Sequence, residues 1–343
     1  MLILMNLNSS RVQIEKVKEI IIQNQCTPHE IPGSSKLAIG ITGPTNRLNT
    51  EDFIRLDSVD DVVRVSKPYK LVSREMKKEN TIISIGSQHI GSADLLLIAG
   101  PCSVESRDQI FEIAGQLKEL GIKFLRAGAY KPRTSPYSFQ GLKEKGLQYL
   151  QEVKKELNMF IVTEAKDTQT LPLIEEVADI IQIGARNMQN FSLLEEAGKI
   201  KKPVLLKRGM AATIEDLLMS AEYLLSQGNY NVILCERGIR TFETHTRNTL
   251  DLNAIPVIKK HSHLPIIVDP SHGIGLADKV PAMALASIAC GSDGLIVEVH
   301  SHPESALSDG AQSLSPQVFK VLLEKIKLLS AVVDRKVNLN GNS

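Results

Sequence analysis

From Asp94 onward the chain repeats one pattern, a short apolar run rich in β-forming residues followed by a longer stretch with helical spacing. Eight such runs are legible: Leu95 to Ala99, Phe124 to Arg126, Phe160 to Thr163, Ile180 to Ile183, Val204 to Lys207, Val232 to Cys235, Ile266 to Asp269 and Leu295 to Val299. Helical patterns lie between them, among them Gln109 to Leu120, Gly141 to Leu157, Ile214 to Ser226 and Lys279 to Cys290. Repeated βα units in this number predict a closed (β/α)8 barrel, with an open doubly wound sheet as the alternative.

At 343 residues the chain is longer than one average domain, and a barrel plus an appendage fits it. The N-terminal part reads as a strand (Leu2 to Met5), a helix (Val12 to Gln23) and two strands (His29 to Ile31, Leu37 to Thr42). A short helix near Glu51 and a strand (Asp61 to Val65) come next. In the first helix Val12, Ile14, Val17, Ile20 and Ile21 recur with roughly helical spacing, leaving Lys16, Lys18 and Glu19 for solvent. The order βαββαβ predicts a small α+β, ferredoxin-like domain. Lys67 to Asn80, rich in Lys, Glu and Ser, reads as a linker, and Thr81 to Ile90 around Gly86 as a hairpin. The expected division is therefore residues 1–70, a linker and hairpin over 71–92, and the barrel over 93–338.

Barrel active sites are built on the loops at the strand C-termini, so the residues just beyond each strand are the ones to read for chemistry. Strand one ends in Gly100-Pro101-Cys102, strand two in Arg126 and the loop Lys131-Pro132-Arg133-Thr134-Ser135, strand three in Glu164 and strand four in Gly184-Ala185-Arg186. Strand five delivers Lys207 and Arg208, strand six Glu236 and Arg237, strand seven Asp269 and His272, and strand eight Glu298, His300 and the Asp309 loop.

Arg126, Lys131, Arg133, Arg186, Lys207 and Arg237 thus converge on one mouth. Any one of them is as well explained by a surface ion pair; six together call for anions. Arginine's planar fork matches phosphate and carboxylate oxygens in pairs, and lysine adds a movable point charge. Thr134 and Ser135 add hydroxyl donors in a turn stiffened by Pro132 and Pro136, which suits a phosphate cradle.

A second constellation, Cys102, His272, Glu298 and Asp309, falls at the ends of strands one, seven and eight, and strands eight and one are neighbours in a closed barrel. One thiolate, one imidazole and two carboxylates suit a single divalent ion, Mn, Fe, Co, Zn or Cu. His261, His263, His300 and His302 compete as ligands by composition; His261 and His263 precede strand seven, at the opposite end, and are expected on the surface.

Basic and acidic residues nearly balance, 40 against 39, so charge gives no reason to expect a nucleic-acid or membrane-surface partner. Small molecules are the expected ligands. Cys26, Cys102, Cys235 and Cys290 show no paired spacing, as in a reducing compartment, and neither an export leader nor a run near the roughly 20 apolar residues of a membrane span is read. A cytoplasmic location is expected.

At these residues the chain resembles the 3-deoxy-D-arabino-heptulosonate 7-phosphate (DAHP) synthases, which open the shikimate pathway to chorismate and the aromatic amino acids. GPCSVE at 100–105, LRAGAYKPRTSPYSFQG at 125–141, IQIGARNMQNF at 181–191, LLKRG at 205–209, CERGIRTFE at 235–243, VDPSH at 268–272 and VEVH at 297–300 carry the resemblance across the barrel. It is strongest to the short bacterial type I-beta group, which carries a ferredoxin-like regulatory domain ahead of the barrel.

The resemblance implies a metal-dependent transferase that condenses phosphoenolpyruvate with erythrose 4-phosphate and releases phosphate. It assigns Arg126, Lys131, Arg186, Lys207 and Arg237 to phosphoenolpyruvate, with Glu164 beside that site, and places Ala185 and Glu236 among the substrate-binding residues. Arg133, Thr134 and Ser135 are assigned to the aldose phosphate, and Cys102, His272, Glu298 and Asp309 to the metal. Cationic side chains must hold two mutually repelling substrates with their reacting carbons close, and the metal polarises the aldehyde oxygen. Lys131 is the expected proton donor to the departing phosphate, with Cys102 and His272 beside the reacting groups. Feedback by tyrosine or phenylalanine and a homotetramer are implied as well.

The nearest rival is the sister enzyme that makes 3-deoxy-D-manno-octulosonate 8-phosphate from arabinose 5-phosphate. Its loop typically reads Lys-Ala-Asn-Arg-Thr-Ser; here the loop is one residue shorter and lacks the asparagine, which favours the four-carbon sugar. A rival of another class is a catalytically inactive barrel that senses a ligand. The complete set of metal-binding and basic residue types argues against it.

Overall fold

The computed structural model describes residues 1–32, 37–63, 68–132, 135 and 137–339. Two compact units emerge, Met1–Asn80 with Lys260–His263, and Thr81–Lys259 with Leu264–Ser343. Among the described residues, no helix is long and apolar enough to cross a membrane.

The first unit is a four-stranded sheet of β1 (Leu2–Met5), β2 (Thr27–Pro32), β3 (Leu37–Thr42) and β4 (Val59–Val63), in the order β2-β3-β1-β4. Every neighbouring pair is antiparallel, so β1 sits between β3 and β4, as βαββαβ requires. The helix Arg11–Gln23 begins with a reciprocal cap between Ser10 and Gln13, which satisfies amides that the first turn leaves open. Its buried Ile14, Val17 and Ile21 pack into one core with Ile3, Met5, Ile39, Ile41 and Phe53. Val12, expected on the apolar face, is exposed instead. Part of the predicted last strand, Arg64 and Val65, lies outside the described residues.

In the stretch expected to be a linker, Tyr69, Leu71, Val72 and Met76 are buried. Met76 Cε lies 2.4 Å and Leu71 Cδ2 3.2 Å from the point a Cβ on Gly40 would occupy, so this stretch packs on β3 where a side chain is missing. The expectation of an exposed His263 is corrected too. Its ring is buried, with Nε2 2.7 Å from the Leu71 carbonyl, and burial pushes its pKa down to about 4.

The second unit opens with a hairpin, β5 (Ile83–Ile85) and β6 (Gln88–Ile90). Eight parallel strands succeed it: β7 (Leu96–Gly100), β8 (Phe124–Arg126), β9 (Phe160–Ala165), β10 (Ile180–Ile183), β11 (Val204–Lys207), β12 (Val232–Glu236), β13 (Ile266–Val268) and β14 (Gly294–Glu298). They close into a barrel, with β14 paired to β7 over five residues. Such strands are covered on both faces, so their sequences are largely apolar, with polar residues such as Arg126, Glu164, Gln182 and Lys207 toward their C-terminal ends.

The hairpin plugs the end of the barrel where the strands begin. Its Ile83, Ile85 and Ile90 share one core with Leu96, Phe124, Ile180 and Leu205, and the rings of Phe124 and Phe160 stack at 5.0 Å. Gly86 turns the hairpin at φ +55°, and a Cβ there would sit 2.6 Å from Phe160 Cζ, so both backbone and packing demand glycine. With one end filled by hydrocarbon, the opposite end is left for polar work.

Candidate active site

The strand C-termini surround a cavity lined by Arg126, Lys131, Arg186, Lys207 and Arg237, together with Arg240 and Arg247. Glu164, Ala185, His272 and Asp309 line it as well. Five of the six basic residues expected at the mouth are therefore together; the sixth, Arg133, lies outside the described residues with Thr134. Ser135 is exposed and is not among the lining residues, and its hydroxyl accepts from the Tyr137 amide at 3.3 Å.

The deep cations are held by buried carboxylates. Arg126 Nη1 donates to Glu298 Oε1 at 2.7 Å with both side chains almost wholly buried. Burial works against the charge on Arg126, but Glu298 and further anions outweigh it, so its pKa rises. Lys207 is ion-paired to Asp269. Asp269 is held well below the usual carboxylate range; burial alone would raise it, and His272 and Lys207 overcome that. Lys131 Nζ donates to the Cys102 carbonyl at 3.0 Å, which ties the cationic wall to the loop after strand β7. Arg237, also buried, has its pKa lowered by burial and, among neighbouring charges, by Arg247.

Glu164 receives the Gln182 amide at 2.9 Å. A Cβ on Gly184 would lie 2.1 Å from Glu164 Oε1, so glycine at this strand end makes room for the carboxylate.

Glu236, expected to contact substrate, is placed differently. It is not among the lining residues, and its oxygens are taken by Arg208 at 2.8 Å and the Gly238 amide at 2.6 Å. Arg208 also pairs with Asp251 at 2.8 Å. This buried network braces the turn that carries Arg237.

On the other side of the mouth, Cys102, Glu298 and Asp309 each offer a donor atom within 4.8 Å of the others. Cys102 Sγ lies 3.1 Å from Asp309 Oδ2 and 2.9 Å from the Ser308 hydroxyl. His272 Nε2 faces Glu298 Oε1 at 3.6 Å and Asp309 Oδ2 at 3.7 Å, while its Nδ1 lies 2.8 Å from Asp269 Oδ2. A carboxylate behind an imidazole is the arrangement that orients ligating rings, although here Nδ1 meets Asp269 at ion-pair distance without a well-aligned hydrogen bond. Burial pushes the Cys102 thiol up to about 11 despite the nearby Lys131. A thiol, an imidazole and two carboxylates converging this closely are a chemically apt donor set for a first-row divalent ion. Asp309 adopts φ 53°, a left-handed conformation uncommon for a residue with a side chain.

His300 does not join this cluster in the described contacts; its Nε2 lies 3.7 Å from Glu105 Oε2. His302 is largely exposed, 3.5 Å from Glu112. Arg240, Arg247, Asn248, Gln182 and Gln312 were not singled out from the sequence. Arg240 and Arg247 come after strand β12 in a long polar loop, and their place beyond a barrel strand was the one available signal. Gln312 carries no motif.

The fold and site together define a barrel whose mouth joins a wall of cationic side chains to a cluster suited to a divalent metal. Its relatives belong to the same class. Residues 75–334 match the DAHP synthetase I family and residues 1–67 the DAHP synthase ferredoxin-like domain, and the chain belongs to the DAHP synthetase I family. It is 53% identical to the phospho-2-dehydro-3-deoxyheptonate aldolase of Thermotoga maritima over 98% of this chain and 100% of that protein. The crystal structure of a DAHP synthase from that organism superposes with a TM-score of 0.79, at 52% identity, covering 98% of this chain and 99% of that one. A 2-dehydro-3-deoxyphosphooctonate aldolase of Methylococcus capsulatus is 30% identical over 73% of this chain and 92% of its own length.

Proposed function

We propose that this chain condenses phosphoenolpyruvate with D-erythrose 4-phosphate and water, giving 3-deoxy-D-arabino-heptulosonate 7-phosphate and phosphate. The single observation that carries the reading is the joining of five expected anion binders and the donor cluster in one cavity, in a chain so similar to a synthase of this family.

Arg186, Lys207 and Arg237 receive the carboxylate and phosphate of phosphoenolpyruvate, and Arg126 closes the floor. Arg133, Thr134 and Ser135 hold the phosphate of the aldose. Lys131, beside the Cys102 carbonyl, is placed to hand a proton to the departing phosphate. Glu164 sits where it can accept hydrogen bonds from substrate or water. Cys102, His272, Glu298 and Asp309 hold one divalent ion. When bound, that ion supplies Lewis-acid polarisation of the aldehyde oxygen. Holding two anions side by side turns an encounter of mutually repelling molecules into an oriented, effectively intramolecular reaction.

Residues 1–70 are read as the regulatory domain, with tyrosine or phenylalanine as effector; the match of residues 1–67 supports the ferredoxin-like domain on which this reading rests. A cytoplasmic homotetramer is the accompanying reading. Four free cysteines and the exposed Val321, Leu328 and Val332 on the helix Pro316–Val332 support it.

The test tracks phosphoenolpyruvate at its ultraviolet band with erythrose 4-phosphate or arabinose 5-phosphate, before and after chelation and with Mn restored. Loss on chelation, recovery with Mn and preference for the four-carbon aldose are expected. Consumption with arabinose 5-phosphate alone would transfer the chain to the sister reaction, and none with either sugar would sink the enzyme reading.

A further inference from the structure

In each carboxylate of the donor cluster, the oxygen that does not face His272 is held by a neighbouring side chain. Glu298 Oε2 accepts from Gln312 Nε2 at 2.6 Å, and Asp309 Oδ1 accepts from Arg247 Nη1 at 3.2 Å. The same Arg247 nitrogen donates to Gln312 Oε1 at 2.6 Å, so the two side chains act as one unit spanning both acids. The inner oxygens are Glu298 Oε1, which also accepts from the buried Arg126 Nη1 at 2.7 Å, and Asp309 Oδ2. Glu298 Oε1 and Asp309 Oδ2 are the atoms that face His272 Nε2, and Asp309 Oδ2 is also the atom that meets Cys102 Sγ.

Arg247 is itself anchored. Its amide donates to the Ile274 carbonyl at 2.9 Å, and the next residue, Asn248, donates to the carbonyls of Gly273 and His272 at 3.1 and 2.8 Å. Gly275 makes this approach possible, because a Cβ there would lie 2.3 Å from Arg247 Cβ. One short segment after β12 therefore touches the loop of His272 and, through Arg247 and Gln312, both carboxylates.

We propose that Arg247 and Gln312 are positioning residues that hold Glu298 and Asp309 to one-oxygen ligation. A free carboxylate can bind a cation through one oxygen or two. Holding the outer oxygens turns one inner oxygen of each acid toward the cluster, and Glu298 Oε1 keeps a second lone pair beside its bond to Arg126, so that four protein ligands contribute four atoms and a position is left open for a substrate oxygen. Partners beyond the ligands commonly set affinity by 10- to 100-fold. Here the positive charge of Arg247 opposes a bound cation, so its benefit must come through orientation. The inference rests on the assignment of the metal to Cys102, His272, Glu298 and Asp309.

Cobalt(II) is the probe, added to full-length chelated protein and read by visible absorption and by competition with a chromophoric chelator. The unaltered protein should show a thiolate-to-cobalt band and intense d–d bands of low coordination number. In Gln312→Leu and Arg247→Met the thiolate band should persist, the d–d bands should weaken as coordination expands, and affinity should fall about 10- to 100-fold. Arg247→Lys, able to hold one partner but not both, should fall between. Melting of the metal-free variants separates misfolding from ligation, and the partly exposed Arg247 is expected to melt as the parent does. A parent protein lacking the thiolate band would overturn the metal assignment itself. A parent with the band, and variants matching it in affinity and spectrum, would overturn the positioning role alone.

Discussion

The two ends of the barrel are built from opposite materials. Where the strands begin, Ile83, Ile85 and Ile90 of the hairpin close over Leu96, Phe124 and Phe160, and the interior is hydrocarbon. At the other end Arg126, Lys131, Glu164, Lys207, Asp269 and Glu298 are buried within the same circle of strands. Burying charge is expensive unless it is paired, and a hydrophobic substitute of equal volume often costs nothing in stability. The filled end thus supports the fold, and the charged end is maintained at some expense to it for chemistry. Substitutions at the two ends should separate these roles.

The largest effect is expected at Lys131. Lys131→Met should lower kcat by roughly 10²- to 10⁴-fold, the usual contribution of a positioned proton donor, with little change in melting temperature. Steady-state kinetics beside calorimetry would check it, and retained kcat would remove Lys131 from the proton-donor role. At the filled end the pattern should invert. Gly86→Val meets both a left-handed backbone and Phe160, and should destabilise the barrel by roughly 2 to 5 kcal/mol while the folded fraction keeps its kcat. Denaturant unfolding with activity normalised to folded protein decides this, and a fall in intrinsic kcat would show that the two ends are coupled.

A third effect belongs to the first unit. His263 has its pKa pushed down to about 4 by burial, so the folded protein keeps it neutral where the unfolded chain, with a pKa near 6.5, takes up a proton. Its contribution is present above about pH 6.5 and lost as pH falls toward 4, up to about 3 kcal/mol. Melting curves between pH 4 and 7 should show this loss, and His263→Gln should flatten it; an unchanged slope would count against the assignment. The smallest effect is expected at Arg186, which is exposed at the mouth. Arg186→Ala should raise the KM for phosphoenolpyruvate about tenfold with stability intact. Equal KM values would remove it from the anion wall.

The same contrast between the two ends explains how much was legible in the sequence. Parallel strands buried on both faces must be largely apolar, so all eight were visible, and Ile180–Ile183 and Val204–Lys207 fall where they were expected. Polar residues just beyond them were visible for the same reason, as exceptions to the apolar rule. Glu236 shows the limit, since a carboxylate that braces Arg208 looks the same in sequence as one that faces a substrate. Gln312 and Arg247 act through pairings 14 and 62 residues away in the chain, which no local pattern encodes. The 68–80 stretch was obscured by its lysines, although Leu71 and Met76 pack behind Gly40.

The most direct measurement is a crystal structure of the full chain with Mn²⁺ and phosphoenolpyruvate, using anomalous scattering to locate the ion. One anomalous peak is predicted between Cys102, His272, Glu298 and Asp309, with the phosphoenolpyruvate anions against Arg186, Lys207 and Arg237. An ion bound elsewhere, or phosphoenolpyruvate outside the mouth, would contradict the assignment of this cavity as the site of condensation.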